Sequence, residues 1–432
     1  MRKRFGFAIF VSLLVFAFAA QAQDDPTPTE QSVSDAVATL LAQTQQAPAQ
    51  INLTQTVQVA LEQALTATAQ AATPAPVDAA TLEVVSTTEI DLVAGPARTS
   101  VYLAPDGERF VYRAGNSLCL YAQDTTEPQC TELPAPMSAL DPDSVRWSPD
   151  SRTITFTENF FVMLVDADVW VWDTTADEVS DLTDDGSNHI SFGSSDDWHD
   201  IDIAPTWLPD GRIVFLRYSR VNDVIAPPEI LVIAPDGSGL EKLGEIEMSA
   251  GFAVYALDAT EDHLFYNYFL PHDVPENGIW TSNLDGSNPE QIAQTEQQST
   301  PSSVSESPDG RYALITTQYP GFGDYRPEVS IAQVLDLESG EILLIDPERY
   351  VVSGGWSPDG SAFVYLVNDP SKVEESGLYI THTAGEAGRL LVAGRFLQGT
   401  AFQRQPLMWG ANNTILLARA PGSGIVIVKL GS

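Results

Sequence analysis

The sequence predicts an all-β fold, a β-propeller of seven four-stranded blades, and three observations support this prediction. First, one motif recurs along the chain: a short apolar strand, Pro-Asp-Gly or Pro-Asp-Ser, and a second apolar strand. Second, the copies follow one another at intervals of about 50 residues, the repeat length of propeller blades. Third, one strand pattern is left over before the first copy. A lone four-stranded sheet cannot bury both faces, so such repeats must stack in a ring.

Five copies of the motif keep its aspartate, at Asp106, Asp150, Asp210, Asp309 and Asp359. Proline presets φ, the aspartate side chain bonds its own downstream backbone, and glycine accepts the positive φ that closes a hairpin. The motif therefore predicts a tight turn between the first two strands of each blade.

Two further copies have lost parts of the motif. One is Ala259-Thr260-Glu261-Asp262, before an apolar run that starts at His263, and the other ends at Asn413, before Ile415. Counting both gives seven blades. A ring of six blades with a spare hairpin is the alternative.

The last copy, from Pro406, offers only three strands. The strand pattern at 82–90, which precedes the first blade, can supply the missing outer strand. We therefore expect the N-terminal strand to close the last blade and to join the two ends of the chain.

Cys119 and Cys130 flank a turn at Asp124-Thr125, within strand-like segments. In a hairpin centred on that turn the two positions face each other at a separation that a disulfide can bridge. We predict a structural disulfide, formed in an oxidising compartment.

The N-terminus has the pattern of a secretory signal peptide at 1–22: Arg2, Lys3 and Arg4, an apolar run, and small residues before the cleavage site. No later run reaches the length of a membrane helix.

Residues 23–78 are rich in Ala, Gln, Thr and Pro and predict a flexible or partly helical linker. The propeller is predicted over 79–432. We expect an extracytoplasmic protein, periplasmic or secreted.

The chain has 21 basic and 59 acidic residues and a net charge of -38. Binding to a phosphate backbone depends on clustered Lys and Arg, which are lacking after residue 4. The sequence thus predicts no nucleic-acid partner and no membrane-embedded segment after cleavage. We expect a monomer, although no pattern fixes the oligomeric state.

Trp356-Ser357-Pro358-Asp359-Gly360, together with the Asp-Gly-Ser segments at 235–243 and 284–292, resembles the repeat of TolB-type propellers. The resemblance covers 98 to about 430 and implies the propeller fold. TolB acts in the cell envelope with protein partners, which implies a binding role here. TolB also carries an α/β domain before its propeller, where this chain has the linker.

In a propeller, the loops between the second and third strands and between blades open on one face, and in this chain they are the long ones. Aromatic and arginine side chains on rigidly held loops are typical of binding surfaces. We predict a protein or glycan ligand on this face, although each aromatic could equally pin its loop to the rim. The candidate ligand-binding residues are Trp198, His199, Arg217, Tyr218, Arg220, Tyr268, His272, Tyr319, Tyr325 and Arg326.

The sequence predicts no cofactor and no metal site. Asp196, Asp197, Asp200 and Asp202 could supply oxygen ligands to Ca²⁺, but their spacing fits no defined calcium loop, so a solvated acidic loop is preferred. The sequence does not predict an enzyme and identifies no catalytic residues. The alternative hypothesis is a polysaccharide lyase or hydrolase, for which His199, His272, Tyr325 and Arg326 would be the acid-base candidates.

Overall fold

The computed structural model describes part of the chain, and all of the described residues belong to one compact unit, Pro74–Ser432. The predicted signal peptide and the linker up to residue 77 lie outside the described residues. Those residues are 78–91, 101–123, 125, 127–133, 140–141, 144–158, 167–186, 200–221, 224–247, 254–268, 274–294, 300–318, 332–397, 407–419 and 424–431.

The strands form seven antiparallel four-stranded sheets, the blades, numbered here in chain order with the inner strand first. Blade 1 contains β2 (Val101–Leu103), β3 (Arg109–Ala114), β4 (Ser117–Ala122) and β5 (Gln129–Glu132). Blade 2 contains β6 (Arg146–Trp147), β7 (Thr153–Phe156), β8 (Trp170–Asp173) and β9 (Glu178–Asp181). Blade 3 contains β10 (Ile201–Trp207), β11 (Ile213–Tyr218), β14 (Glu229–Ile233) and β15 (Glu241–Glu245). A two-stranded ribbon, β12 (Arg220–Val221) with β13 (Val224–Ile225), lies in the connection between β11 and β14.

The remaining four blades follow the same plan. Blade 4 contains β16 (Val254–Ala259), β17 (His263–Tyr268), β18 (Gly278–Asn283) and β19 (Glu290–Gln294). Blade 5 contains β20 (Thr300–Glu306), β21 (Tyr312–Gln318), β22 (Ala332–Asp336) and β23 (Ile342–Leu344). Blade 6 contains β24 (Val351–Trp356), β25 (Phe363–Val367), β26 (Gly377–Thr381) and β27 (Arg389–Ala393), with a 3-10 turn at Val373–Glu375. Blade 7 contains β28 (Phe396–Leu397), β29 (Thr414–Arg419), β30 (Gly424–Gly431) and β1 (Glu83–Asp91).

The seven-bladed prediction is confirmed, and the six-bladed alternative is wrong. The degenerate fourth copy forms a complete blade. Its β16–β17 hairpin pairs from Val254 opposite Tyr268 to Ala259 opposite Leu264, with one register shift between Ala256 and Asp258. In blade 7 the inner strand begins earlier than expected. It starts at Phe396, which pairs with Arg419, rather than after Pro406.

The N-terminal strand closes the ring as predicted. β1 pairs antiparallel with β30 from Glu83 opposite Gly431 to Asp91 opposite Gly424. A guanidinium on blade 6 holds the entry to β1, because Arg389 donates hydrogen bonds to the carbonyl oxygens of Ala79 and Leu82. The first and last strands of the propeller therefore share one sheet.

The core of the described residues is divided into seven apolar clusters, and each lies between two neighbouring blades. Leu416 of blade 7, for example, packs with Val101 of blade 1, and Phe215 of blade 3 packs with Val171 of blade 2. The other clusters join the remaining pairs of adjacent blades in order. Hydrophobic burial between blades, rather than within any one sheet, thus holds the ring together.

The first-to-second strand turns have the expected chemistry. In each of the five complete copies, the aspartate accepts a hydrogen bond from the backbone N–H two residues later, at 2.8 to 3.2 Å. The following position has positive φ, which glycine adopts without strain at Gly107 (75°) and Gly211 (85°) and which Ser151 adopts in blade 2 (62°).

Tryptophans of this repeat lock adjacent blades together. The indole N–H groups of Trp147, Trp207 and Trp356 donate to backbone carbonyls in the inner strand of the preceding blade, at 2.8, 3.1 and 3.2 Å. Trp409 instead bonds within its own turn, to Asn413 Oδ1 at 3.2 Å.

The predicted disulfide is present. Cys119 of β4 lies directly opposite Cys130 of β5, with 4.0 Å between their Cα atoms. It ties the exposed outer strand of blade 1 to the strand beside it.

Candidate functional site

The two faces of the ring carry different strand connections. One face, the short-turn face, carries the first-to-second and third-to-fourth strand turns. The other, the long-loop face, carries the second-to-third strand connections and the connections between blades. On this face blade 3 extends into the β12–β13 ribbon, where Arg220 pairs with Ile225, and blade 6 has a nine-residue connection, 368–376. The described residues thus place elaborate connections on one face only.

Two of the predicted ligand-binding aromatics are core residues. The Tyr218 side chain is fully buried at the end of β11, where its hydroxyl donates to Val254 O at 2.7 Å and accepts from Val254 N at 3.0 Å. Tyr268 is buried at the end of β17 in the same apolar cluster. Both rings anchor blade 3 to blade 4 below the long loops, which is the alternative role that the sequence left open.

Arg217, which is partly exposed, forms an ion pair with the buried Asp202. Its Nε and Nη2 atoms donate to the two carboxylate oxygens of Asp202 at 2.7 and 2.6 Å, in the paired geometry that guanidinium favours. Asp200 lies 3.8 Å from Nη1 and accepts a hydrogen bond from Ser219 Oγ at 2.7 Å. This network fixes the start of the ribbon against the connection from blade 2 to blade 3.

A group of carboxylates that the sequence analysis missed lies beside this pair. Glu158 is 2% exposed, and it accepts hydrogen bonds from Asp168 N at 2.9 Å and from Trp170 Nε1 at 3.0 Å. Burial raises the Glu158 pKa from 4.5 to about 7. No motif marks it, since it follows β7 as an ordinary residue after an apolar strand.

Asp181 and Thr183 connect this group to the ion pair. Burial raises the Asp181 pKa to about 6, helped by the charges of nearby Asp184 and Asp202. The Thr183 hydroxyl donates to Asp168 Oδ1 at 3.3 Å and also bonds Asp202. Burial raises the pKa of Asp202 as well, although Arg217 opposes the shift. We call this region between blades 2 and 3 the acidic cleft; it comprises Glu158, Asp168, Asp181, Asp200, Asp202 and Arg217.

Other polar groups meet near the axis of the ring. Tyr255 of blade 4 donates its hydroxyl to Asp141 Oδ2, next to blade 2, at 2.9 Å. Asp258, also on the inner strand of blade 4, has its pKa raised to about 6 by burial, with Arg146 opposing the shift. Glu306 takes the place of the repeat tryptophan in blade 5, and burial raises its pKa.

The remaining site predictions lie outside the described residues and stay predictions: Trp198, His199, His272, Tyr319, Tyr325, Arg326 and the side chain of Arg220. Asp196 and Asp197 of the hypothetical calcium site also lie outside the described residues. Among the residues described, no group of three or more His, Cys, Asp or Glu side chains is arranged to hold a metal ion. None of the helices in the described part of the chain is long and apolar enough to cross a membrane.

Comparison with known proteins agrees with the fold. Residues 96–228 match the family model of the dipeptidyl peptidase IV N-terminal region, which covers less than half of the chain. No curated protein matches. An oligogalacturonate lyase solved in complex with manganese is 12% identical, with a TM-score of 0.52, and the match covers 81% of this chain and 98% of the lyase.

Two further structures are similar to this chain. An oligogalacturonate lyase from Vibrio parahaemolyticus has 14% identity and a TM-score of 0.50, over 80% of this chain and 98% of its own. TolB from Acinetobacter baumannii has 12% identity and a TM-score of 0.38, over 77% of this chain and 64% of its own.

The class of protein follows from the blades: the chain is a seven-bladed β-propeller. The identities of 12 to 14% with the two lyases show that the fold is shared, and they show nothing about activity.

Proposed function

We propose that this protein is an extracytoplasmic binding or scaffolding propeller that engages a protein or glycan ligand on its long-loop face. One observation carries the proposal. The connections of blade 3 on this face are held in place by the Asp202–Arg217 pair, in which Asp202 is buried. A buried ion pair is weak evidence for stability, because desolvation offsets most of the attraction between the charges. A costly network that fixes a surface ribbon is better explained by preorganisation for binding.

The electrostatics of the acidic cleft indicate what kind of ligand would fit. The region holds five carboxyl groups and one guanidinium, and three of the five carboxyl groups have raised pKa values. Burial is the main cause of these raised pKa values, and the charges of neighbouring carboxylates raise them further, so a polyanion here would add to that repulsion. A ligand surface with ammonium or guanidinium groups would relieve it. A basic protein surface, or a neutral or cationic glycan, is therefore the favoured ligand over this cleft.

Two features support the proposed location. A Cys119–Cys130 disulfide suits an oxidising compartment, and the sequence predicts a signal peptide at 1–22. Export would present the ring in the periplasm or outside the cell, where envelope proteins and glycans are available.

The second candidate function is a polysaccharide lyase or hydrolase. The similarity in fold to two oligogalacturonate lyases favours it, as does a carboxyl group, Glu158, whose pKa lies near 7. General acids and bases need such values. Both oxygens of Glu158, however, accept hydrogen bonds from its own blade, and the side chain is buried. A structural role explains these contacts better than catalysis does.

A ribbon-replacement variant tests the proposal. In this variant Asn-Gly replaces residues 220–225, which removes β12 and β13 while Ser219 and Ala226 remain. Binding is measured by interferometry against neutral oligosaccharides, cationic chitosan oligomers and oligogalacturonate, and protein partners are sought by cross-linking in envelope fractions. Leu240→Ser is the control, since it removes an exposed side chain near the short-turn face of the same blade.

We expect a neutral or cationic glycan or an envelope protein to bind the wild type and the control. The same ligand should bind the ribbon variant at least tenfold more weakly, which corresponds to a loss of about 1.4 kcal/mol in binding free energy. Release of an unsaturated product from oligogalacturonate by the wild type would favour the lyase alternative. Equal binding by all three proteins would refute the assignment to the long-loop face.

A further inference from the structure

Two buried side-chain hydroxyls among the described residues have no hydrogen-bond partner, those of Ser376 and Thr414. Ser376 is 3% exposed and ends the long connection of blade 6 on the long-loop face. A buried hydroxyl without a partner costs free energy, and such exceptions in folded proteins call for an explanation.

The Ser376 hydroxyl belongs to a row of polar groups at the end of blade 6. Val367 pairs with Gly377 at the end of the β25–β26 ladder, and Asn368 and Ser376 are the next residues of the chain beyond this pair. The Ser376 carbonyl accepts from Gly394 N at 3.0 Å, which brings the end of β27 to the same place. Asn368 is itself 7% exposed.

Arg395 orients the Asn368 amide. Its Oδ1 accepts a hydrogen bond from Arg395 Nε at 3.2 Å. Its Nδ2 therefore faces the other way, where it makes one contact at 3.5 Å with Phe396 O, the outer limit for a hydrogen bond. The amide consequently has donor capacity that its own chain barely uses.

Arg395 completes the row with a positive charge. Its side chain is exposed, and it forms no ion pair with any residue that the structure describes, although acidic residues outnumber basic ones by 59 to 21. Arg419 lies close by, with Nη1 3.6 Å from where a Cβ on Gly394 would stand. Gly394 has a φ of 135°, which disfavours any larger residue between the two guanidinium groups.

We propose that Ser376, Asn368 and Arg395 form a carboxylate-binding subsite at the boundary of blades 6 and 7. A hydroxyl, an amide NH₂ and a guanidinium all donate, so the matching ligand is an oxygen acceptor. A carboxylate presents two oxygens in the planar geometry that guanidinium binds in pairs. Phosphate carries more negative charge than a carboxylate, so a chain with 59 acidic and 21 basic residues repels it more strongly.

The carboxylate could belong to a sugar acid or to the end of a peptide chain. The subsite deepens the proposed function and rests on it, because Asn368 and Ser376 belong to the blade 6 connection on the same long-loop face. It lies four blades along the ring from the acidic cleft, so the two regions can be tested with separate variants.

The test uses two pairs of probes in which only the charge differs, D-glucuronate with D-glucose and acetyl-Ala-Ala with its C-terminal amide. Titration calorimetry measures binding to the wild type, Arg395→Gln, Ser376→Ala and the ribbon-replacement variant. Arg212→Gln is the matched control, since Arg212 is an exposed arginine on the short-turn face. Inorganic phosphate serves as the competing anion.

We expect the acid of at least one pair to bind more tightly than its neutral partner. Arg395→Gln should weaken that binding by roughly tenfold and Ser376→Ala by roughly fivefold, as expected for a charged and a neutral hydrogen bond. The control should bind normally. Without probe, Ser376→Ala should unfold at the same temperature as the wild type or higher, because its hydroxyl has no partner to lose. The pair that responds identifies the source of the carboxylate.

Equal binding of the acid and neutral probes would overturn the subsite, as would tighter binding of phosphate or an acid affinity that Arg395→Gln leaves unchanged. The ribbon-replacement variant separates this result from failure of the proposed function. It should keep carboxylate binding even if it has lost the larger ligand.

Discussion

The pH dependence of stability offers a sharp test of the acidic cleft, with Glu158→Gln as the perturbation. The Glu158 pKa is raised from 4.5 to about 7, so the folded protein binds this proton more tightly than the unfolded chain does. The stability that the proton contributes is fully present below about pH 4.5 and is lost as pH rises through about 7. A glutamine side chain has nothing to titrate, so the variant lacks this part of the pH dependence.

The magnitude follows from linkage between proton binding and folding. A shift of this size corresponds to about 3 kcal/mol in full, of which about 2.5 kcal/mol falls between pH 5 and 8.5. Asp181 and Asp258 also have raised pKa values, so the wild type alone would report their sum. The difference between wild type and Glu158→Gln reports Glu158 together with its electrostatic coupling to Asp181.

Urea unfolding at a series of pH values, followed by tryptophan fluorescence, measures that difference. We expect the wild type to lose about 2.5 kcal/mol relative to the variant as pH rises from 5 to 8.5. Because glutamine can satisfy only one of the two donors that Glu158 accepts, the variant should be the less stable protein at about pH 5. A difference that does not change with pH would refute the buried environment assigned to Glu158.

Three further predictions concern the ion pair, the blade contacts and the disulfide. Asp202→Asn should cost about 2 kcal/mol in urea unfolding, because it removes a charged partner that accepts two hydrogen bonds from Arg217 and leaves only Asp200, at 3.8 Å. The exposed pair of Arg212 offers the control Asp210→Asn, expected within about 1 kcal/mol, and equal losses would contradict the burial of Asp202. Trp356→Phe should lose about 2 kcal/mol by thermal unfolding, since it removes the hydrogen bond to blade 5 and part of the packing, and an unchanged midpoint would show that the contact between blades contributes little. Cys130→Ser should lose roughly 3 kcal/mol of free energy of unfolding in urea, and reduction of the wild type should remove the same amount. No loss would mean that other contacts hold the outer strand of blade 1.

Features that depend on local sequence were predictable. The Asp-Gly turns follow from backbone preferences that act over four residues, so Asp106 and its counterparts could be identified one by one. The closing strand was predictable from counting, because a blade with three strands needs a fourth from elsewhere. Cys119 and Cys130 could be paired because their hairpin is local.

Features that depend on tertiary contacts could not be predicted. Glu158 has no unusual neighbours in sequence, and its burial and its two hydrogen-bond donors arise only in the folded protein. Tyr218 and Tyr268 looked like surface aromatics because each stands where a strand turns into a long loop. Their burial depends on the neighbouring blade, which sequence periodicity cannot locate. The Ser376 subsite was missed because it depends on how three strand ends of blade 6 meet, which no local sequence pattern shows.

The two proposed binding regions have opposite charges, and this difference constrains the ligand. The acidic cleft lies between blades 2 and 3, and the donor set with Arg395 lies between blades 6 and 7, on the same face. A uniformly anionic polymer would satisfy the second region and be repelled by the first, while a uniformly cationic one would do the reverse. A ligand that spans both must therefore carry cationic groups at one end and a carboxylate at the other. A basic protein segment that ends in a free carboxyl terminus has this arrangement, whereas a repeating polyuronate does not. Of the two probe pairs, the peptide acid and its amide should for this reason show the larger difference.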